Sequence, residues 1–241
     1  MTDNLLLGEI WETFHIQGYQ VGFLHRTTTP AVNFPNVLMS TLQVVLTVEG
    51  HINSYEHVYY FHNQPGFPSH SYLFDAGQGA PVHVRFVEDQ MICQVDDDVF
   101  TEAVPRDARP SYGYYPLVVT IPFTTGYLLP FTRVDDASCS VEGRAEFVSQ
   151  GWEPVDLRGE RLSLWRVDEY AGYHLANQYW LDETRRIRKS NWPGGVSYWV
   201  PTKEDALLGL PAKWARAATK MLDSSTDSDW TSEVIAWLTD N

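Results

Sequence analysis

Residues 9–28 read EIWETFHIQGYQVGFLHRTT, and this stretch decides the fold class. Apolar and polar residues alternate on both sides of Gln17-Gly18, which is typical of two antiparallel strands joined by a tight turn. The same alternation recurs in residues 39–62 around Gly50-His51. We therefore predict a mainly β protein, built as a curved antiparallel sheet that forms a half-barrel or an open barrel.

The register of the first hairpin can be predicted from its apolar face. With a two-residue turn, the predicted pairs are Ile16–Tyr19, Phe14–Val21, Glu12–Phe23 and Ile10–His25. Glu12 and His25 are then ionisable groups on an otherwise apolar face, as diagonal neighbours. A carboxylate and an imidazole placed in this way would form an acid–base pair. Alternatively, the two side chains only satisfy each other's hydrogen bonds inside the fold.

The second hairpin places a histidine among aromatic residues. With Gly50-His51 as the turn, His57 lies opposite Val44 and is flanked by Tyr55 and Tyr59. It is either a packed core residue or a further member of the acid–base group. The candidate catalytic residues are Glu12, His25 and His57, and the candidate substrate contacts on the same strands are Phe14, Phe23, Tyr55 and Tyr59.

Further strand patterns follow along the chain. They cover 69–104 as four short strands, then 133–148, 160–170, 173–181, 185–191 and 196–200. The hairpin around Glu88-Asp89 aligns Val84 with Cys93, which predicts a buried, unreactive thiol. Helix is expected only late, from a capping box at Thr202 and Asp205 and in residues 212–222.

The segment 110–132 carries no charged residue. It is long enough to span a bilayer, but Pro116, Pro122 and Pro130 interrupt it. We expect a buried and irregular apolar segment instead.

The composition of the chain limits the classes of partner and ligand that it can bind. The chain has 241 residues and a net charge of −14, which disfavours nucleic-acid and membrane partners. Nine Trp, thirteen Tyr and eleven Phe can both build a core and line a cavity for a small apolar or aromatic molecule. The first residues lack the basic and apolar regions of a signal peptide, so we expect a cytoplasmic protein with free thiols.

Motifs for cofactors and metals are absent from the sequence. Cys93 and Cys139 are far apart, and no CxxC, HxH or HExxH spacing occurs. Residues 77–79 form a lone GxG in a turn, which is no dinucleotide fingerprint. We expect neither a metal nor a cofactor.

Residues 185–189 form the basic run of the chain. As strand residues, Arg186 and Arg188 share a face, and they either protect a sheet edge or bind a substrate carboxylate or an acidic partner. We expect residues 1–222 to form one β-rich domain around an apolar, aromatic cavity. Residues 223–241 would form an acidic linker and a short amphipathic helix containing Trp230 and Trp237. That tail could dock on the basic run, cap the cavity or swap within a homodimer.

Several short stretches resemble a known family. They are IWETF at 10–14, GYQVG at 18–22, YWLD at 179–182, RIRK at 186–189 and WPGGVSYW at 192–199. In these stretches the chain resembles the half-barrel superfamily that includes the lipoprotein-carrier fold. The resemblance implies a curved antiparallel sheet around an apolar cavity. The missing leader and lipobox cysteine favour the cytoplasmic, cofactor-free branch, which includes a violacein biosynthesis protein.

Two functional hypotheses follow. The first is a cofactor-free enzyme, such as a cyclase, isomerase or lyase of secondary metabolism, that acts on a small apolar or aromatic molecule. The second is a non-catalytic binding or carrier protein for a hydrophobic ligand. The resemblance assigns no catalytic residue in this chain.

Overall fold

The structure is a computed structural model that describes residues 3–48, 50–77 and 79–225. The strands are β1 (Gly8–Ile16), β2 (Tyr19–Pro30), β3 (Val37–Val48), β4 (His51–His62), β5 (Ser69–Asp75), β6 (Val82–Val87), β7 (Gln90–Val95), β8 (Asp98–Ala103), β9 (Ala108–Pro110), β10 (Leu128–Asp135), β11 (Ser140–Leu157), β12 (Glu160–Ala171), β13 (His174–Leu181), β14 (Ile187–Trp192) and β15 (Gly195–Val200). The helices are α1 (Asp3–Leu6), α2 (Tyr114–Thr120), α3 (Lys203–Leu208) and α4 (Ala212–Ser225), and a 3-10 turn at Ser111–Gly113 precedes α2.

All fifteen strands belong to one sheet, in the order β8-β7-β6-β5-β4-β3-β2-β1-β15-β14-β13-β12-β11-β10-β9. Most neighbours in the sheet are consecutive antiparallel strands, and β1 joins the two halves by pairing with β15. The three-residue strand β9 pairs with β10 in parallel. The sheet is open, with β8 and β9 at its edges. The predicted fold class, a curved and mainly antiparallel sheet with short C-terminal helices, is confirmed.

The sheet curves around α2. One core cluster contains Val84 and Met91 from one half of the sheet, Phe147 and Val167 from the other half, and Val118 from α2. Strands so distant in the sheet order share one core only because their inner faces turn toward each other. The segment 110–132 was predicted to be buried and irregular. The structure corrects both points, because the segment contains α2 and the start of β10, and because residues 113–121 are mostly buried whereas 124–128 are exposed.

The C-terminal helices cover the outer face of the sheet. Trp11, Phe23 and Val45 pack there against Leu210 and Ala218 of the helical region. The prediction of helix only late in the chain is wrong, because α1 and α2 come earlier.

The N-cap of α3 follows the predicted capping pattern. Thr202 Oγ1 accepts a hydrogen bond of 3.1 Å from the backbone N–H of Asp205. Helix α4 continues to Ser225, into the segment predicted as a linker, and Trp230 and Trp237 lie outside the described residues.

A β-bulge changes the register of the first hairpin. Ile16 pairs with Tyr19 as predicted, but the register shifts between Phe14 and His15. The pairs beyond the shift are Phe14–Gly22, Thr13–Phe23, Glu12–Leu24, Trp11–His25 and Ile10–Arg26. A one-residue shift moves a whole strand segment to the other face. The predicted Glu12–His25 pair is therefore wrong, since the two side chains lie on opposite faces of the sheet.

The other hairpins agree better with the sequence. In the second hairpin His57 shares the predicted face, but it pairs with Leu42 rather than Val44, because Val48 pairs directly with His51. In the hairpin around Glu88-Asp89 the predicted alignment of Val84 with Cys93 is confirmed, and Cys93 is fully buried.

In the described part of the chain, no helix combines the length and the hydropathy that crossing a bilayer requires.

Candidate functional site

A cavity of about 190 Å³ lies on the concave side of the sheet. Its walls come from β1 and β2, from the 3-10 turn and the first turn of α2, and from β13–β15. Polar side chains in the wall include Glu12, Arg26, Asn177, Tyr179, Ser190 and Ser197. Apolar side chains in the wall include Phe14, Leu24, Ile187 and Trp192. An aromatic cavity with a few converging polar groups is the usual form of a small-molecule site.

Glu12 supplies a carboxyl group to this cavity. Ser197 Oγ donates a hydrogen bond of 2.8 Å to Glu12 Oε2, and the hydroxyl groups of Ser197 and Ser190 are 2.5 Å apart. Burial raises the pKa of Glu12, and the Ser197 hydrogen bond and the charge of Arg26 partly oppose this rise. A carboxyl group whose pKa moves toward neutrality can both accept and donate a proton.

Arg26 takes the place beside Glu12 that was predicted for His25. Arg26 pairs with Ile10 and Glu12 pairs with Leu24, so the two charged residues are diagonal neighbours on the inner face. Arg26 is only 7% exposed, and its guanidinium lies 4.7 Å from the centre of the Tyr115 ring. Burial lowers the pKa of Arg26. The inner face thus holds a carboxyl group and a guanidinium next to each other.

A second carboxylate lies behind the cavity wall. Tyr179 Oη donates a hydrogen bond of 2.9 Å to Glu169 Oε2, and Asn177 Nδ2 donates one of 2.7 Å to the same oxygen. Glu169 is fully buried, which raises its pKa. Its contacts fix the orientation of Tyr179 and Asn177, the two side chains that reach the cavity.

His25 is not part of this site. It lies on the outer face of the sheet, where its ring stacks on Trp11 at 3.9 Å. Its Nε2 is 2.8 Å from Glu9 Oε1, and its Nδ1 is 3.4 Å from Gln43 Oε1. These contacts give His25 a structural role beneath the C-terminal helices.

His57 lies on the inner face but one layer behind the cavity. Its ring is 5.3 Å from that of Tyr112, whose side chain lines the cavity, and its Nε2 is 3.7 Å from Asp136 Oδ2. Neither ring nitrogen of His57 has a hydrogen-bond partner among the described residues. Burial and the charge of Arg26 lower the pKa of His57 to about 3, while burial raises that of Asp136 to about 7. His57 is therefore neutral near pH 7, and the two side chains form no ion pair.

The four aromatic residues predicted to contact the substrate lie in different parts of the structure. Phe14 lines the cavity, and its ring meets that of Trp192 edge-on at 6.2 Å. Phe23 is fully buried on the outer face, so its predicted contact with the cavity is wrong. Tyr55 lies on the inner face with its ring 6.0 Å from Tyr112.

Tyr59 is buried in the core below the cavity. Its Oη is 3.0 Å from Ser69 Oγ, and its ring packs tightly against Gly113, where an added Cβ would come within 2.9 Å of the ring. This contact locks the turn that leads into α2, so Tyr59 positions the cavity wall without reaching the cavity.

The two arginines of the basic run share one aromatic ring. Arg186 and Arg188 lie 4.3 and 5.0 Å from the centre of the Trp199 ring, and Trp199 pairs with Glu12 in the sheet. Arg186 precedes β14 instead of belonging to it. The nearby Arg185 donates a hydrogen bond of 2.6 Å to the carbonyl of Ile121 and so holds the end of α2. The basic run is thus partly structural.

Larger clefts exist on the surface. One of them measures about 470 Å³ and includes Trp152, Asp182 and Arg188. It lacks the converging buried groups of the inner cavity, so we place the candidate site at Glu12 and Arg26. Across the described residues, no group of three or more His, Cys, Asp or Glu side chains is arranged to hold a metal ion.

Comparisons with known proteins show the fold alone. No family model matches the chain, and no curated protein matches it. The chain is similar to a β-barrel-like protein of the domain of unknown function DUF1849 from Brucella abortus, with a TM-score of 0.50 and 6% identity over 79% of this chain and 92% of that one. A DUF1089 family protein from Pseudomonas aeruginosa gives a TM-score of 0.36 and 12% identity over 69% of this chain and 89% of that one. The first similarity shows a shared barrel-like fold and carries no activity with it.

Sequence reasoning missed Arg26 and Ser197. The predicted register places two apolar side chains, Trp11 and Leu24, on the polar face of the first hairpin, and the bulge removes both of these exceptions. Trp11 joins Phe23 on the outer face, and Leu24 joins the inner face. Those two exceptions were the signal that could have revealed the bulge and, with it, the inward position of Arg26.

Proposed function

We propose that this chain is a cofactor-free enzyme that binds a small aromatic molecule in the inner cavity and moves a proton through Glu12. One observation carries the proposal. The Glu12 carboxyl group lines an aromatic cavity, its orientation is fixed by Ser197, and its pKa is raised by burial. Isomerisation, cyclisation and elimination are reactions that one positioned acid–base group can support.

The size of the cavity restricts the substrate. At about 190 Å³ it is smaller than the roughly 300–1,000 Å³ of sites for drug-sized ligands. An apolar cavity of about 150 Å³ holds benzene. A single ring with one small substituent therefore fits, and a lipid chain does not.

The proposal agrees with the cytoplasmic, cofactor-free branch of the half-barrel superfamily that the sequence resembles. The absence of nucleotide and flavin motifs from the sequence supports a reaction without a cofactor. The catalytic set differs from the predicted one, because Glu12 remains while His25 and His57 lie outside the cavity.

Native mass spectrometry of the freshly purified protein tests the proposal. The Glu12→Gln variant keeps the shape of the side chain but cannot exchange a proton, so it should retain a bound aromatic molecule unchanged. The wild-type protein should convert that same molecule into a product that liquid chromatography separates. Glu9→Gln is the matched control, because Glu9 is an exposed carboxylate on the same strand that contacts His25.

A binding or carrier protein is the alternative function. The apolar wall formed by Phe14, Leu24, Ile187 and Trp192 favours it, since such a wall can hold a ring without chemistry. In that case the wild-type protein releases the bound molecule unaltered, and the Glu12→Gln variant behaves in the same way.

A further inference from the structure

Arg26 is a buried cation that the fold pairs only in part. Its Nη1 donates to Ser40 Oγ and to the carbonyl of Tyr112, both at 3.3 Å. These distances are longer than the usual 2.7–3.2 Å of N–H···O hydrogen bonds. A guanidinium has five N–H donors, so several remain for another acceptor. Among the described residues, no carboxylate oxygen lies within 4.0 Å of the Arg26 guanidinium nitrogens.

The nearest carboxyl group does not replace that missing partner. Glu12 is a diagonal neighbour of Arg26, but its hydrogen bond goes to Ser197. Burial also raises the pKa of Glu12, which favours the neutral form of its carboxyl group. A buried cation without a paired anion is costly, and a ligand that brings an anion would supply the missing charge.

The surroundings of Arg26 select a planar anion next to a ring. The guanidinium lies against the face of Tyr115, and the rest of the cavity offers Phe14 and Trp192 as aromatic walls. The planar donor fork of arginine matches the two oxygens of a carboxylate. The volume leaves room for one ring and one such group.

We propose that the ligand of this cavity is a small aromatic carboxylate and that Arg26 binds its carboxylate group. This inference rests on the proposed function, because it uses the same cavity and names the class of its substrate. Glu12, the diagonal neighbour of Arg26, then lies beside the bound carboxylate group and transfers a proton to or from the adjoining part of the ligand.

Benzoate and benzamide form a matched pair of probes for this inference. They have nearly the same shape and differ in charge. Titration calorimetry on the wild-type protein should show benzoate binding at least about 10-fold tighter than benzamide, since a hydrogen bond between a guanidinium and a carboxylate is stronger than one between a guanidinium and a neutral amide. The Nε–H signal of Arg26 in a ¹⁵N NMR spectrum should shift with benzoate and not with benzamide. Both measurements need no variant.

Variants identify the arginine that causes the preference for benzoate. Arg26→Gln should remove the preference for benzoate, and Arg26→Lys should retain only part of it because an ammonium cannot bind both oxygens in one plane. Arg161→Gln is the control, since Arg161 is exposed and distant from the cavity wall. Arg186→Gln tests the basic run as the anion site.

Four outcomes separate the inference from the proposed function. Benzoate preference that disappears in Arg26→Gln and persists in Arg161→Gln and Arg186→Gln supports the inference. Equal binding of benzoate and benzamide overturns it while leaving an aromatic site at Glu12 intact. Preference lost in Arg186→Gln but kept in Arg26→Gln also overturns it. Failure of both probes to bind the wild-type protein overturns the inference together with the proposed site.

Discussion

Ser197 on β15 donates a hydrogen bond of 2.8 Å to Glu12 on β1. A hydroxyl group has one hydrogen, so the Ser190 hydroxyl, 2.5 Å away, must donate to Ser197. The pairing of β1 with β15 creates this chain of two serines, and it joins residues that are 185 positions apart in sequence. The protonation of Glu12 thus depends on the contact between the two halves of the sheet.

Removing the Ser197 hydroxyl should raise the pKa of Glu12 further. The hydrogen bond stabilises the carboxylate and lowers the pKa of Glu12, so its loss favours the protonated form. Carboxyl ¹³C NMR of Ser197→Ala, with Glu12→Gln to assign the signal, measures the change. Ser190→Ala should change the pKa of Glu12 much less, because Ser197 keeps its bond to the carboxylate. An unchanged Glu12 titration in Ser197→Ala would contradict this role.

Acid should destabilise the fold through His57. Its pKa is about 3 in the folded protein and 6.5 as an unperturbed group, so the unfolded chain binds more protons between these values. The free energy of unfolding is therefore unaffected by this group above pH 6.5, where His57 is neutral in both states. It falls as the pH drops toward 3, by an amount on the order of 5 kcal/mol. His57→Phe keeps the aromatic packing and should flatten this loss in urea unfolding at pH 4 to 7. His51→Gln, an exposed change on the same strand, should not flatten it.

Asp136 should act in the opposite direction. Burial raises its pKa from 3.8 to about 7, so the folded protein binds more protons than the unfolded chain in that range. Its destabilising effect therefore grows as pH rises from about 4 to 7, up to roughly 4 kcal/mol. Asp136→Asn keeps an acceptor for the Ser111 N–H and should gain stability relative to wild type as pH rises. The same relative stability at pH 4 and pH 7 would show that Asp136 does not titrate in this range.

Gly22 should tolerate no side chain. A Cβ at this position would lie 2.0 Å from the carbonyl oxygen of Val45, and that backbone belongs to a central pair of strands. Gly22→Ala should lower the free energy of unfolding by at least about 2 kcal/mol, the range of overpacked cores. Gly209→Ala is a matched control, because its close neighbour is the movable end of Gln20. Equal urea midpoints for the two variants would contradict the prediction.

Local patterns determined the fold class and many strands. The hairpin around Glu88-Asp89 follows its alternation without interruption, so pairing residue by residue across a two-residue turn gave the correct register. The Thr202 cap was also readable, because its hydrogen bond spans only three residues. In both cases the interaction that determines the local structure joins residues that are close together in the sequence.

Tertiary structure decided the site. A one-residue bulge at Val21, opposite the step from Phe14 to His15, turned Arg26 inward and His25 outward. The alternation of the hairpin indicates this bulge only through its two exceptions, Trp11 and Leu24. Helix α2 lies inside the curved sheet and is apolar on every side, so it lacks the one-sided pattern that identifies a helix. The meeting of Glu12 with Ser197 depends on β1 pairing with the last strand, which no local pattern records. The sequence by itself determined a β-hairpin protein with an aromatic interior, whereas long-range pairing chose which charged groups face that interior.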